Sequence, residues 1–253
     1  MIIARKEGPP NGKFDFLFSN TYLAPFVQQK PDYWEKLHDM LYGGGRLRKF
    51  ATIVEDIVEK FSFLALAQDQ ITESESRRDR EKKFFIHYHT YAYVFMTKSF
   101  LDACAVFLNE SYALEQRGSG IALDKQSFIN CLDKVNPDLT KQLHSQREWF
   151  KLVVRYRNNL IHKHGLYVGP IPTVPDSLKD PIAVDQYILT QPAYIPNDPD
   201  LLIDNIYNGV EGDFIKVTCF VDEWINEAFH LFHIILSGFT TSFEVHDPNI
   251  NSK

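Results

Sequence analysis

Cysteine is scarce. The chain has three, Cys104, Cys131 and Cys219, far apart and odd in number. Their spacing supports neither a disulfide framework nor a zinc knuckle, and all three are expected to act as small buried hydrophobes in a reducing compartment. No stretch of about 18 or more residues is both uncharged and apolar, so no membrane span is expected. The first residues hold no apolar core of a secretory signal, and a cytoplasmic location is the expectation. Basic charge is not in excess either: 27 Lys and Arg stand against 33 Asp and Glu, a formal net charge of −6. A general nucleic-acid coat is excluded, because such proteins carry basic surfaces, but a local site for an anion is not. There is no Gly-x-Ser-x-Gly elbow. Gly43, Gly44 and Gly45 lack the spacing and the Lys-Ser/Thr of a phosphate-binding loop and read as an interhelical turn. Glu227-x-x-His230-x-x-His233 lacks the second Glu-x-x-His that a di-metal carboxylate site needs. It reads as a polar stripe on an amphipathic helix, and neither metal nor cofactor is expected.

What is present describes an ordinary folded chain. At 253 residues, 44% hydrophobic and 24% charged, it is long enough for one sizeable core, and a single domain spanning 1–253 is expected. Aromatics reach 14%, with 20 Phe and 12 Tyr. That surplus predicts thick helix–helix contacts or an interface between subunits.

Residues 1–30 read as an irregular arm, and Pro31–Tyr42 as a short helix. Phe50, Ile53, Ile57, Phe61 and Leu64 give helical spacing to a helix over 46–68. A long helix is predicted over 74–116. It is charged at its start, from Arg77 to Lys83, and then apolar on most faces through Phe84, Tyr88, Tyr91, Phe95, Leu101 and Phe107, which makes it the centre of the fold. His87 and His89, two apart, point to different sides of it. A short helix follows over 124–134, and a long one over 138–164 that stops at Gly165, where a glycine cap belongs. The segment 165–211 holds seven of the 13 prolines and cannot be helical throughout. Ala183–Thr190 and Leu201–Tyr207 suit a β-hairpin there. An amphipathic helix over 213–240 and a frayed tail over 244–253 complete the chain. The expected class is all-α: a helical bundle with a Pro-rich, hairpin-forming insert before its last helix.

The most informative residues end the helix over 138–164. Arg157, Asn158 and His162 give the pattern R-N-x-x-x-H. From Trp149 to Pro175 there is no acidic residue, while Lys151, Arg155, Arg157 and Lys163 are all basic. Asn158 and His162, four apart, share a helix face. Arg157 is offset by one residue but has a long side chain. His162 sits in the last turn, where the helix dipole favours a protonated imidazole. Cleaving RNA without a metal needs a base for the 2′-OH, an acid for the departing 5′-oxygen and a cation for the charge gathering on phosphorus. Histidine can serve as base or acid near neutral pH, and arginine matches phosphate oxygens with two donors. Lys163, His164 and Arg155 extend the cluster as candidate phosphate contacts. The same residue types are also ordinary at a solvated helix end.

The pattern and its place at the end of a long helix resemble the active-site motif of the HEPN superfamily, helical proteins many of which are metal-independent ribonucleases. The order of long helix, motif helix and last helix over 75–240 is similar too. The resemblance implies a HEPN-like bundle and an endoribonuclease of a toxin or defence system. It further implies a homodimer in which two motif helices form one composite Arg/His site, and an antitoxin-type protein partner. It also implies a supporting role for an acidic residue on the helix before the motif. Here that is Asp102, expected to be buried and paired with Arg157. The alternative is an inactive HEPN-like module that binds RNA or another protein.

Overall fold

The computed structural model describes residues 48–162, 166–170, 180–200 and 213–246. The readings made for the arm over 1–30, for Pro31–Tyr42, for the glycine turn, for Gly165, for Leu201–Tyr207 and for 247–253 lie outside the described residues, as do Lys163 and His164. Among the described residues there are seven α-helices, one short 3-10 turn and two three-residue strands. The chain is mostly helical, as its composition and periodicity predict.

Helix α1 (Arg48–Glu75) and helix α2 (Lys82–Ser111) form an αα-hairpin with the most extensive packing in the molecule. α1 buries Phe50, Val54, Ile57, Val58, Phe61, Leu64 and Ile71, a stripe at spacings of three and four. The charged stretch read as the first turns of α2 is in fact the hairpin's turn. Arg77 pairs there with Asp79 and Glu81, both at 2.9 Å, and the Glu81 backbone N–H donates to Asp79 Oδ1 at 3.0 Å. An Asp side chain that bonds the backbone N–H two residues on offers the chain a local alternative to continued helix.

α2 is long and apolar enough to cross a membrane by length and composition alone, which the sequence reading had not allowed. Its hydropathy is accounted for by its position. Ile86, Tyr93, Val94, Phe100, Cys104, Phe107 and Leu108 are buried, and α2 packs on α1 and on two further helices. Burial pushes the Cys104 thiol well up. Cys104 alone fits the expectation of a buried cysteine, for Cys131 is partly exposed and Cys219 exposed.

The helix predicted over 138–164 is two helices. α3 (Gln126–Val135) leads to α4 (Pro137–His144), and α5 (Arg147–His162) follows. Asn136 caps α4, accepting from the Leu139 N–H at 3.0 Å, with Pro137 in the first position. The break at Ser145 and Gln146 has no Gly or Pro to announce it. Gln146 is buried there, and its amide donates to the Glu227 carbonyl at 2.9 Å and the Glu227 carboxylate at 2.8 Å. The last helix thus supplies the partner of the glutamine at the break. It also engages the one acidic group of Glu227-x-x-His230-x-x-His233.

Within the insert, Pro181–Thr190 is helix α6 and not a strand. Asp180 accepts from the Ile182 N–H at 3.1 Å, with Pro181 as the first helical residue. That N-terminal signal outweighs the β-branched and aromatic content of the run. A β-ribbon is present, but elsewhere: β1 (Tyr194–Pro196) pairs antiparallel with β2 (Phe214–Lys216), with Ile195 opposite Ile215. β2 runs straight into α7 (Val217–His246), so helix continues into the residues expected to begin the frayed tail.

α7 packs on α1, α2 and α4. Its Phe220 and Trp224 meet Tyr93 of α2 and Trp149 and Tyr156 of α5 in an aromatic cluster, with ring centroids 4.3–6.5 Å apart. Much of the aromatic surplus is spent on this helix–helix core. Burial raises the Tyr93 hydroxyl well above its usual pKa, and it donates to the Val221 carbonyl at 2.8 Å.

Candidate active site at the end of the motif helix

α5 has two faces. Trp149, Phe150, Val153, Tyr156 and Asn159 are buried. Lys151, Arg155, Asn158, Ile161 and His162 are exposed, and Arg157 lies at the boundary. The buried face holds the helix in place, while the exposed end carries the motif.

Two buried polar groups fix α5 to the insert. The Tyr156 hydroxyl donates to the Pro196 carbonyl, and burial pushes its pKa well up. The Asn159 amide donates to the Pro199 carbonyl and to Asp200 Oδ1, the latter at 3.1 Å. These bonds lay residues 196–200 along α5. Asn159 was only a spacer in the R-N-x-x-x-H pattern, yet it is the best-buried polar residue of that run. Its place three residues after Tyr156, on the apolar side of the helix, was the available signal.

The same segment corrects the reading of Arg155 as a phosphate contact. Its guanidinium pairs with Asp198 at 2.7 Å and with Asp200 at 2.7 Å. The Asp200 bond leads in raising its pKa, with Asp198 adding to it. Arg155 is therefore engaged by two carboxylates from beyond the acid-free stretch, and the local basic patch is smaller than the sequence implied.

Arg157 is placed differently. Its Nη1 donates to Asn158 Oδ1 at 3.1 Å, a neutral partner that leaves its charge uncompensated by that bond. Asn158 and His162 are exposed one turn apart on the same helix. Arg157, Asn158 and His162 thus share the C-terminal end of α5, facing solvent.

Asp102 does not support this group. It lies on α2, with its side chain 50% exposed, and it pairs with Lys98 one turn earlier. The expectation of a buried Asp102–Arg157 pair is corrected, because the outward face of α2 that carries Asp102 also carries exposed Phe95 and Val106. A partly exposed pair at this spacing contributes roughly 0.3–0.5 kcal/mol. Asp102→Asn should therefore change unfolding free energy by less than about 0.5 kcal/mol in a urea titration. A loss of several kcal/mol would restore the buried pair.

Leu166 is bound to α2. The Leu166 N–H donates to Tyr91 Oη at 2.9 Å, and Tyr91 Oη donates to the Leu166 carbonyl at 3.0 Å. His87, one turn before Tyr91, lies against its ring at 4.3 Å. Burial, with Lys83 adding to it, lowers the His87 pKa and favours the neutral imidazole. Among the described residues no three His, Cys, Asp or Glu side chains converge as a metal cage. No family model, curated protein or solved structure matches the chain.

Proposed function

We propose that this protein is a metal-independent endoribonuclease of HEPN type, acting as a homodimer in the cytoplasm and belonging to a toxin or defence system with an antitoxin-type protein partner. One observation carries the reading. Of the two arginines flanking Tyr156, Arg155 is held by two carboxylates, whereas Arg157 is bonded to the neutral Asn158 amide beside an exposed His162. An arginine kept from carboxylates at a helix end is suited to phosphate. A histidine one turn away is suited to proton transfer.

One copy offers a single histidine of the motif. Cleavage by acid and base calls for two proton-transfer groups, and two motif ends meeting about a two-fold axis would supply them. The test is incubation of the purified protein with RNA in excess EDTA. Fragments ending in 2′,3′-cyclic phosphate are expected, since attack by the 2′-OH displaces the 5′-oxygen without water. Intact RNA under all conditions would leave the alternative, an inactive HEPN-like module for RNA or protein binding.

A further inference from the structure

The turn between α1 and α2 and the first turns of α2 expose an aromatic surface that the core does not use. Phe84 is 68% exposed and Tyr88 60%. Both values are high for large rings in a soluble fold, where an exposed apolar cluster marks a contact surface. Their rings lie nearly parallel, 15° apart, with centroids at 6.4 Å. Phe85 stands edge-on to Phe84 at 5.8 Å and carries the Arg77 guanidinium over its face at 4.5 Å. The ring of His89 stands edge-on to Tyr88 at 5.2 Å, and burial lowers its pKa.

The charge just before these rings is mostly positive. From Arg77 to Lys83 there are five cations and two carboxylates in a chain of net charge −6. Both carboxylates, Asp79 and Glu81, are bonded by Arg77. Lys82 is buried against Glu75. Arg78 and Lys83 remain exposed, Arg78 in the turn before the rings and Lys83 next to Phe84 in the chain. Arg78 makes its bond to a backbone carbonyl, that of Arg77.

We infer that Phe84 and Tyr88 form a base-stacking platform for single-stranded RNA, with Arg78 and Lys83 holding its phosphates. Exposed rings interleaved with cations bind single strands because every base has a π-face and every linkage an anion. A duplex hides its base faces and offers the rings nothing. A second copy of the chain would be met by like charge here, which disfavours it as the occupant.

The helix that carries the platform is tied to the chain that follows the motif. Tyr91, three residues beyond Tyr88 and so on a neighbouring position of the helix, bonds Leu166, which is four residues past His162. Four residues span at most about 14 Å. The link through Tyr91 and Leu166 keeps the end of α5 within reach of a strand of several nucleotides that starts on Tyr88. The choice of RNA rests on the ribonuclease reading, so the test separates the two.

The probe is a fluorescein-labelled 2′-O-methyl oligoadenylate, which lacks the 2′-OH nucleophile and cannot be cut. Binding to the whole protein is followed by anisotropy. Phe84→Ala and Tyr88→Ala should each weaken binding about tenfold, from the usual strength of base–aromatic stacking. Tyr88→Trp should retain binding. Arg78→Glu with Lys83→Glu should weaken it further and make its salt dependence shallower. The corresponding duplex should bind less well than the single strand. All these side chains are exposed, so thermal melting should be unchanged. If RNA is cleaved yet the probe binds the alanine variants as tightly as the parent, the platform is wrong and the ribonuclease reading stands. If the probe behaves as expected and no RNA is cut, the platform stands and the ribonuclease reading falls. Absence of probe binding would overturn the platform, and alanine variants that alter only sedimentation would assign this face to a protein contact instead.

Discussion

His162→Ala should lower the rate of RNA cleavage at least about a hundredfold, the usual loss for one general acid or base, while changing unfolding free energy by less than about 0.5 kcal/mol. The side chain is exposed at the last position of α5, so little packing is lost with it. Arg157→Lys is the more discriminating change. It keeps the positive charge but removes the planar fork that meets two phosphate oxygens at once. Cleavage should fall nearly as far as in Arg157→Ala if both donors are used. The internal control is Arg155→Ala, two residues before Arg157 and on the other side of the helix. Arg155 is spent on Asp198 and Asp200, so its loss should loosen residues 196–200 and leave the chemical step largely intact. Single-turnover cleavage measures the difference. Should Arg155→Ala be as slow as Arg157→Ala, the division of labour between the two arginines is wrong. Should His162→Ala cut as fast as the parent, the motif has no chemical role.

The three longest helices were legible in the sequence because each buries a continuous stripe. The spacing of Phe50, Ile57, Phe61 and Leu64 reports directly on a helix packed along one side. The parts that misled share a different physics. The break between α4 and α5 depends on Glu227 reaching Gln146 from 81 residues away, and no local residue encodes it. α6 looked like a strand because Val184, Tyr187 and Ile188 favour one, and the cap–proline pair Asp180–Pro181 was the stronger signal. Phe84 and Tyr88 were read as covered because the helix carrying them is apolar all round, whereas the structure exposes them. For the candidate site, residues 157, 158 and 162 were found as a local pattern on one helix. The carboxylates that take Arg155 away come from 43 and 45 residues later, beyond the acid-free stretch that made the region look basic. A local pattern names the groups at a helix end, but only tertiary contacts decide which of them is left free for a ligand.

Lys82→Met should destabilise the fold by about 3–5 kcal/mol, the usual consequence of leaving one member of a buried pair without the other. Lys82 is the first residue of α2, where the helix dipole disfavours a cation, and its side chain is only 6% exposed. Glu75, 17% exposed, compensates it at 3.2 Å. The ammonium also donates to the Leu189 carbonyl at 3.3 Å and the Gln191 carbonyl at 3.0 Å. The Glu75 carboxylate accepts from the Ala193 N–H at 2.8 Å. One ion pair thus joins the end of α1, the start of α2, the end of α6 and the approach to β1. Methionine keeps the apolar stem but strands a half-covered carboxylate and two carbonyls. Glu75→Gln in the same chain should recover part of the loss, because a neutral amide no longer needs a cation and can still accept from Ala193. Urea unfolding of the parent, the single variants and the double variant measures that coupling. A loss below about 1 kcal/mol for Lys82→Met would mean that water reaches Glu75 and the pair holds nothing together. The consequence for the site follows from connectivity. Residues 193–196 lead into the segment that Tyr156 and Asn159 hold against α5. Loosening the Lys82 clamp should therefore free Asp198 and Asp200 from Arg155 and leave that arginine available beside Arg157. At temperatures where Lys82→Met is still folded, its RNA binding should be tighter and more salt-dependent than the parent's.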